Sequence, residues 1–297
     1  MDYVLERIGL AGKVAVVTGG AGGLGWPISR DLARAGMRVA ICDRDGDALR
    51  EAGPALAEVA SDSLAFHADV RDPDAVAAFF EAVDERFGRV DVMVAVPGGS
   101  FVAPLMATRP KGWDAVIRQN FTYVLDTTQH TVRRMEAQGD GGSIIYISTV
   151  EAHRAMPHRA VYGAMKAAIA NLAKSLALEL GPLGIRVNTV APDHFPTPGQ
   201  RHADPEFEGR PGGRLANAMI IPLGRKGTGE DLTGCVLFLA SELSSYVTGT
   251  TLHVDGGTLA ASGWFAWPDG SGGFTWENLI PDDVADELAR RQEGGQP

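Results

Sequence analysis

The sequence predicts an α/β fold, a doubly wound parallel sheet of seven strands with helices on both faces. Three observations carry this expectation: seven short, nearly unbroken apolar runs, helix-period segments between them, and a glycine cluster directly after the first run. Strands covered on both faces read as continuous apolar runs, and a strand–helix rhythm builds a parallel sheet through crossover connections. The 297 residues, 45% of them hydrophobic, suffice for one large core.

The first strand is "KVAVVT" (13–18), followed by "TGGAGGLG" from Thr18 to Gly25 and a helix over 24–35. Glycines there allow a tight turn and let backbone N–H groups approach a pyrophosphate at the start of the helix, near Leu24. The spacing Gly19, Gly23, Gly25 is not G-x-G-x-x-G, and such clusters also occur in ordinary turns. The second strand, "RVAIC" (38–42), runs into Asp43, roughly 20 residues past the glycines. A carboxylate there accepts both ribose hydroxyls of an adenosine and repels a 2′-phosphate, or else it closes a turn. Arg44 would welcome that phosphate, but the glycine loop holds no basic residue. NAD is therefore favoured over NADP.

The third strand, "LAFH" (64–67), precedes Asp69, an acceptor for an adenine amino group or another turn residue. A helix follows over 74–87, then the fourth strand "DVMVAV" (91–96) and one long helical segment over 112–138. The fifth strand, "SIIYI" (143–147), leads to a helix over 160–180, and the sixth, "IRVNTVA" (185–191), to one over 230–240. "TLHV" (251–254) closes the set. Ligands of this architecture sit beyond the carboxyl ends of the strands, so chemistry is expected just after each one.

Such chemistry stands after the fifth strand, in "ISTVEAHRAMPHRAVYGAMK". Tyr162 and Lys166, four apart, share one helix face. A nearby ammonium favours phenolate and so lowers a phenol's pKa from about 10. Such a tyrosine can protonate a carbonyl oxygen or take a proton from an alcohol, while the lysine also bonds a nicotinamide ribose. Tyr-x-x-x-Lys is common on solvated helix faces; its place on the ligand edge gives it weight. Ser148 and Thr149 both precede the pair, and strand alternation lets only one of them face Tyr162.

Together these residues resemble the short-chain dehydrogenase/reductases, in the branch with domains of about 250 residues. The resemblance spans residues 10 to 260 and includes TGGAGGLG (18–25), Asp43, Asp69-Val70, Asn120 in "IRQN", YGAMK (162–166), "IRVNTVAP" (185–192) with Thr197, and "YVTGTTLHVDGG" (246–257). It implies a Rossmann-like fold and NAD(P)-dependent interconversion of a secondary alcohol and a ketone. Tyr162 is then the acid/base, Lys166 its electrostatic partner and ribose binder, and Asn120 the holder of a relay water. Thr197 and Pro192 belong to the nicotinamide side. The family's serine lies thirteen residues before its tyrosine, and 162 − 13 = 149 selects Thr149 over Ser148. Threonine keeps the hydroxyl that holds the substrate oxygen.

Two departures stand out. Ala95-Val96-Pro97-Gly98 replaces the usual Asn-Asn-Ala-Gly, which puts the loop geometry beside the cofactor ribose, Gly98 included, in question. Pro192-Asp193-His194 replaces Pro-Gly, implying a stiffer, more polar loop. Around the presumed pocket lie Glu151, Met156 and His194, with His153, Arg154, His158 and Arg159 opposite Glu151. The cations would suit an anionic substrate or form a solvated face. Met156, Phe101 and Phe195 would suit an alicyclic, terpenoid or steroid-like alcohol, and the sequence leaves that choice open.

The formal charge of −10 argues against nucleic acid as a partner. Cys42 and Cys235 sit in apolar segments, as small core residues in a reducing compartment. The seven histidines form no metal-binding pattern, so no metal is expected. With no signal-peptide pattern and no membrane-length apolar run, a cytoplasmic protein is expected. One domain over 1–260 is foreseen, with a mobile substrate loop over about 193–220. A C-terminal extension over 261–297 follows, as an irregular strap rich in aromatic residues (Trp264, Phe265, Trp267, Phe274, Trp276) and then a disordered tail. The strap would cover its own cleft, a neighbour's pocket, or simply the core. Small residues along 160–180 suit a helix-helix interface, so a homodimer or homotetramer is expected. Two other readings share the fold: a non-catalytic NAD(H)-binding regulator and an epimerase or dehydratase.

Overall fold

The computed structural model describes Tyr3, residues 7–197, Asn217, residues 219–266 and residues 274–275. All seven expected strands are present: β1 (Val14–Thr18), β2 (Arg38–Asp43), β3 (Ser63–His67), β4 (Val92–Ala95), β5 (Gly142–Ile147), β6 (Ile185–Pro192) and β7 (Thr251–Val254). They form one wholly parallel sheet in the order β3-β2-β1-β4-β5-β6-β7. The order reverses between β1 and β4, and at such a switch point the following loops diverge and leave a crevice.

The helices are α1 (Gly25–Arg34), α2 (Gly46–Val59), α3 (Pro73–Phe87), α4 (Pro110–Ile117), α5 (Tyr123–Gln138), α6 (Ala160–Leu180), α7 (Gly229–Ala240) and the short α8 (Thr258–Ala261). Two apolar clusters cover the two faces of the sheet, and β1 shows why. Val14 and Val16 belong to the cluster holding Phe79, Phe80, Tyr123 and Ile169, whereas Ala15 and Val17 belong to that of Ile28, Leu32, Leu56 and Val236. Successive side chains of a strand point to opposite faces, so one apolar run feeds both cores.

Helix α2 is absent from the sequence-based expectation because Gly53 and Pro54 interrupt its pattern. It forms because the Asp45 carboxylate caps the N–H groups of Asp47 and Ala48, and because Leu49, Ala52 and Leu56 are buried. The long helix expected over 112–138 is a second difference. A π-helical turn, Arg118–Thr122, separates α4 from α5. Asn120 accounts for it, since its side-chain Nδ2 donates to the Val116 carbonyl at 2.8 Å, inserting an amide into the backbone ladder.

Of the expected substrate loop, residues 198–216 and 218 lie outside the described residues. In the C-terminal extension Phe265–Ala266 pairs antiparallel with Phe274–Thr275. Trp267, Trp276 and the final residues lie outside the described set. Among the described residues no helix is long and apolar enough to cross a membrane.

Candidate active site

A cleft of about 510 Å³ lies across the carboxyl ends of the strands, within the size range of small-molecule sites. Gly19, Gly23, Leu24 and Asp43 line its first part. The glycine loop is folded tightly on itself: a side chain at Gly25 would place its Cβ 1.8 Å from the Gly19 carbonyl oxygen. Gly25 thus lies beneath the cleft, closing the turn that presents Gly23 and Leu24. Buried Ser29 ties the same turn, its Oγ donating to the Gly20 and Gly25 carbonyls at 3.0 and 2.9 Å.

The Asp43 carboxylate also works within this loop, accepting from Ala21 N–H at 3.2 Å and Asp45 N–H at 3.1 Å. It therefore combines the two roles that the sequence held apart, a turn residue and a lining carboxylate. Exposed Arg44 and buried Val70 line the cleft nearby. Asp69 is gripped by Arg71, whose Nε and Nη2 donate to its two oxygens at 2.9 and 2.5 Å. That pairing holds the Asp69 carboxyl below its ordinary pKa. Arg71, two residues on, was not foreseen; an Asp-x-Arg spacing at a strand end is the signal that could have found it.

In the Ala95-Val96-Pro97-Gly98 loop the missing amides have a replacement. The Pro97 ring packs on Gly19, and its carbonyl accepts the Tyr123 hydroxyl at 2.6 Å. Gly98 lines the cleft directly above the two polar groups beneath it. A Cβ there would lie 2.6 Å from Lys166 Nζ and 3.1 Å from Asn120 Oδ1, so only glycine allows this approach. Asn120 is fully buried, outside the lining. Its Oδ1 accepts Gly99 N–H at 3.0 Å and its Nδ2 donates to the Gly99 carbonyl at 2.8 Å, which clamps the loop onto α5's π turn.

Tyr162, Lys166 and Thr149 come together at the far end of the cleft. The Thr149 hydroxyl lies beside the Tyr162 phenol and favours its charged form. Ser148 turns the other way, its buried Oγ donating to the Lys166 backbone carbonyl at 3.1 Å. Lys166 is 2% exposed, donates to the Ile147 carbonyl at 3.0 Å, and sits with Nζ 5.9 Å from the Tyr162 ring centre. Burial lowers the ammonium's pKa to about 8.

The phenol departs from expectation. Burial pushes the Tyr162 pKa up, and the Thr149 hydroxyl and the Arg159 charge only partly oppose this. The ammonium lies over the ring face and spends a hydrogen bond on Ile147, so desolvation wins over its attraction for phenolate. Burial thereby favours the protonated phenol.

Pro192, Asp193, His194 and Thr197 form the opposite wall. Arg154 Nη2 donates to Glu151 Oε1 at 2.9 Å and to Asp193 Oδ2 at 2.7 Å, and Thr258 Oγ1 donates to Asp193 at 2.7 Å. This clasp joins the loop after β5, the loop after β6 and α8. The sequence placed Arg154 opposite Glu151 without foreseeing the bond. His194 has a left-handed backbone (φ 52°), stabilised where its N–H donates to its neighbour Asp193 Oδ1 at 2.9 Å. Met156 lines the same region, and His153 meets His253 edge-on. No group of three metal-ligating side chains exists among the described residues.

A seven-stranded doubly wound sheet that carries a glycine turn at one end of its cleft and a tyrosine–lysine pair at the other defines a class of nicotinamide-dependent oxidoreductases. A family model described as enoyl-(acyl carrier protein) reductase matches residues 19–258. A 3β-hydroxysteroid dehydrogenase of Eggerthella lenta is 37% identical over 258 residues, covering 86% of this chain and 97% of that protein. A cyclohexanol dehydrogenase of a Rhodococcus species is 33% identical, covering 85% and 98%. A short-chain dehydrogenase/reductase structure from Mycobacterium marinum superposes with a TM-score of 0.79 at 33% identity, covering 86% and 98%. The chain belongs to the short-chain dehydrogenase/reductase family.

Proposed function

We propose that the chain is an NAD-dependent oxidoreductase that interconverts a secondary alcohol and a ketone on an alicyclic, terpenoid or steroid-like substrate. The observation that carries this reading is the grouping of Thr149 and Tyr162 with buried Lys166 in one cleft that a glycine turn also lines. The hydroxysteroid and cyclohexanol relatives support a cyclic substrate.

The cleft fits a dinucleotide. Gly22 and Gly23 face it, an added Cβ at Gly22 meets nothing within 4 Å, and Asp43 stands where a ribose would present its hydroxyls. Bound nicotinamide supplies or accepts the hydride at the substrate carbon. Tyr162 delivers the proton to the developing alkoxide, and its raised pKa keeps that proton in place until the oxygen's basicity grows. Thr149 orients the same oxygen. Lys166, charged below about pH 8, stabilises the phenolate left behind. Asn120 holds the Gly98–Gly99 loop over Lys166, and the one lone pair left on its Oδ1 is where a relay water would bond.

The test is absorbance at the NADH band across a panel of secondary alcohols and ketones; turnover of none would remove the reading. Asp43 predicts a kcat/KM for NAD at least about tenfold above that for NADP, since a 2′-phosphate forfeits hydrogen bonds and meets a like charge. Equal values would mean that Arg44 dominates. Lys166 predicts the pH profile. As pH rises through about 8 the ammonium loses its charge while Tyr162, raised, stays protonated. Ketone reduction is therefore level below about pH 8 and declines above it, and a kcat profile from pH 6 to 10 reads this directly. A profile level to pH 10 would show that the charge of Lys166 is not needed.

A further inference from the structure

Two carboxylates, Glu151 and Asp193, face the substrate end of the cleft, and both are engaged. Arg154 bridges them, and their side chains are 10% and 11% exposed. One guanidinium thus serves two acids. A second, Arg159, lines the same cleft and is partly buried, and its guanidinium makes no hydrogen bond or ion pair among the described residues. A guanidinium that faces a cleft with its donors unspent can take an anion there. A planar guanidinium fork matches a carboxylate in two parallel hydrogen bonds.

The other cations near the cleft are unsuited to that task. Lys166 is buried beneath Tyr162, Arg154 is consumed, and Arg71 is locked to Asp69 at the cofactor end, where Arg44 also lies. Arg159 instead stands three residues before Tyr162, on the approach to the helix that carries the phenol. Its charge also favours the phenolate form of Tyr162, in keeping with that position. A substrate oxygen can therefore rest on Tyr162 and Thr149 while a carboxylate across a small ring reaches Arg159, with Met156 against the ring's apolar edge.

We propose that Arg159 is a substrate-binding residue that takes a carboxylate, and that the preferred substrates are alicyclic hydroxy and oxo acids. This rests on the secondary-alcohol reading above and narrows it. The matched probes are 4-oxocyclohexanecarboxylate and its methyl ester, which share a ring and a ketone and differ in charge, each reduced with NADH by the full chain.

The wild type is expected to prefer the carboxylate in kcat/KM. Arg159→Gln is expected to lower the carboxylate-to-ester ratio between about tenfold and a hundredfold, the range for a charged hydrogen-bonded contact, chiefly through KM. Because any effect of Arg159 on the Tyr162 phenol alters both substrates alike, the ratio isolates recognition from proton transfer. Arg159→Lys, which keeps the charge but loses the fork, is expected to recover part of the ratio. Undiminished NADH binding by both variants establishes that they are folded. A wild-type ratio at or below one, or a ratio unmoved by Arg159→Gln, overturns the inference and leaves the reaction class intact. So does failure of both probes where other cyclic alcohols are oxidised. Failure of every secondary alcohol and ketone overturns the underlying reading instead.

Discussion

Tyr162→Phe removes nearly all turnover, on the order of 10² to 10⁴-fold, while NADH binds with close to its original affinity. The ring keeps its place over Lys166, so packing persists and only the proton donor is lost. The two hydroxyls upstream separate in the same experiment. Thr149→Val costs on the order of 10²-fold in kcat, as for loss of one positioned donor, because Thr149 is the hydroxyl that acts on the phenol from the cleft side. Ser148→Ala leaves kcat near wild type, since its Oγ serves the Lys166 backbone carbonyl instead; the expected effect is about 1 kcal/mol of stability. Steady-state kinetics with a responsive alcohol, together with fluorescence titration of NADH, measure all three. A crippled Ser148→Ala with an active Thr149→Val would reverse the assignment, and an active Tyr162→Phe would end the mechanism.

Why this much was legible follows from where each signal resides. The sheet could be read because strands buried on both faces need unbroken apolar runs, and Val14–Val17 sends buried apolar side chains into both cores. Tyr162 and Lys166 could be paired because helix geometry is periodic. Contacts between distant segments leave no such trace. Nothing near Arg154 announces that Asp193 and Thr258 will close on it from other loops. The π turn escaped because Asn120 breaks its helix through a side-chain bond to Val116, while the local pattern stays helical. Helix α2 escaped for the opposite reason: Gly53 and Pro54 weaken its pattern, and the Asp45 cap together with three buried side chains overrides them. The phenol's pKa was misjudged because attraction by an ammonium can be inferred from spacing, whereas desolvation depends on everything packed around the ring.

Gly25→Ala is expected to abolish detectable NADH binding and to lower the melting temperature by about 2–12 °C. The added Cβ would stand 1.8 Å from the Gly19 carbonyl oxygen and 2.8 Å from its carbon. Both are backbone atoms, so no rotamer change relieves the clash and the glycine turn must open. Opening it also pulls on the Gly20 N–H bond to the Cys42 carbonyl, on the Ala21 N–H bond to Asp43, and on the Ser29 bridge between Gly20 and Gly25. Overpacking of this kind costs about 1–3 kcal/mol, and each kcal/mol is worth about 2–4 °C in a domain of this size. Binding suffers more than stability, because the turn that opens is the one presenting Gly23 and Leu24 to the cleft. Gly22→Ala is the control: its Cβ meets nothing within 4 Å, so it should melt with the wild type. Thermal melts of both variants, with and without NADH, decide the matter. A Gly25→Ala protein that melts normally and is still stabilised by NADH would show that the close approach to Gly19 is dispensable.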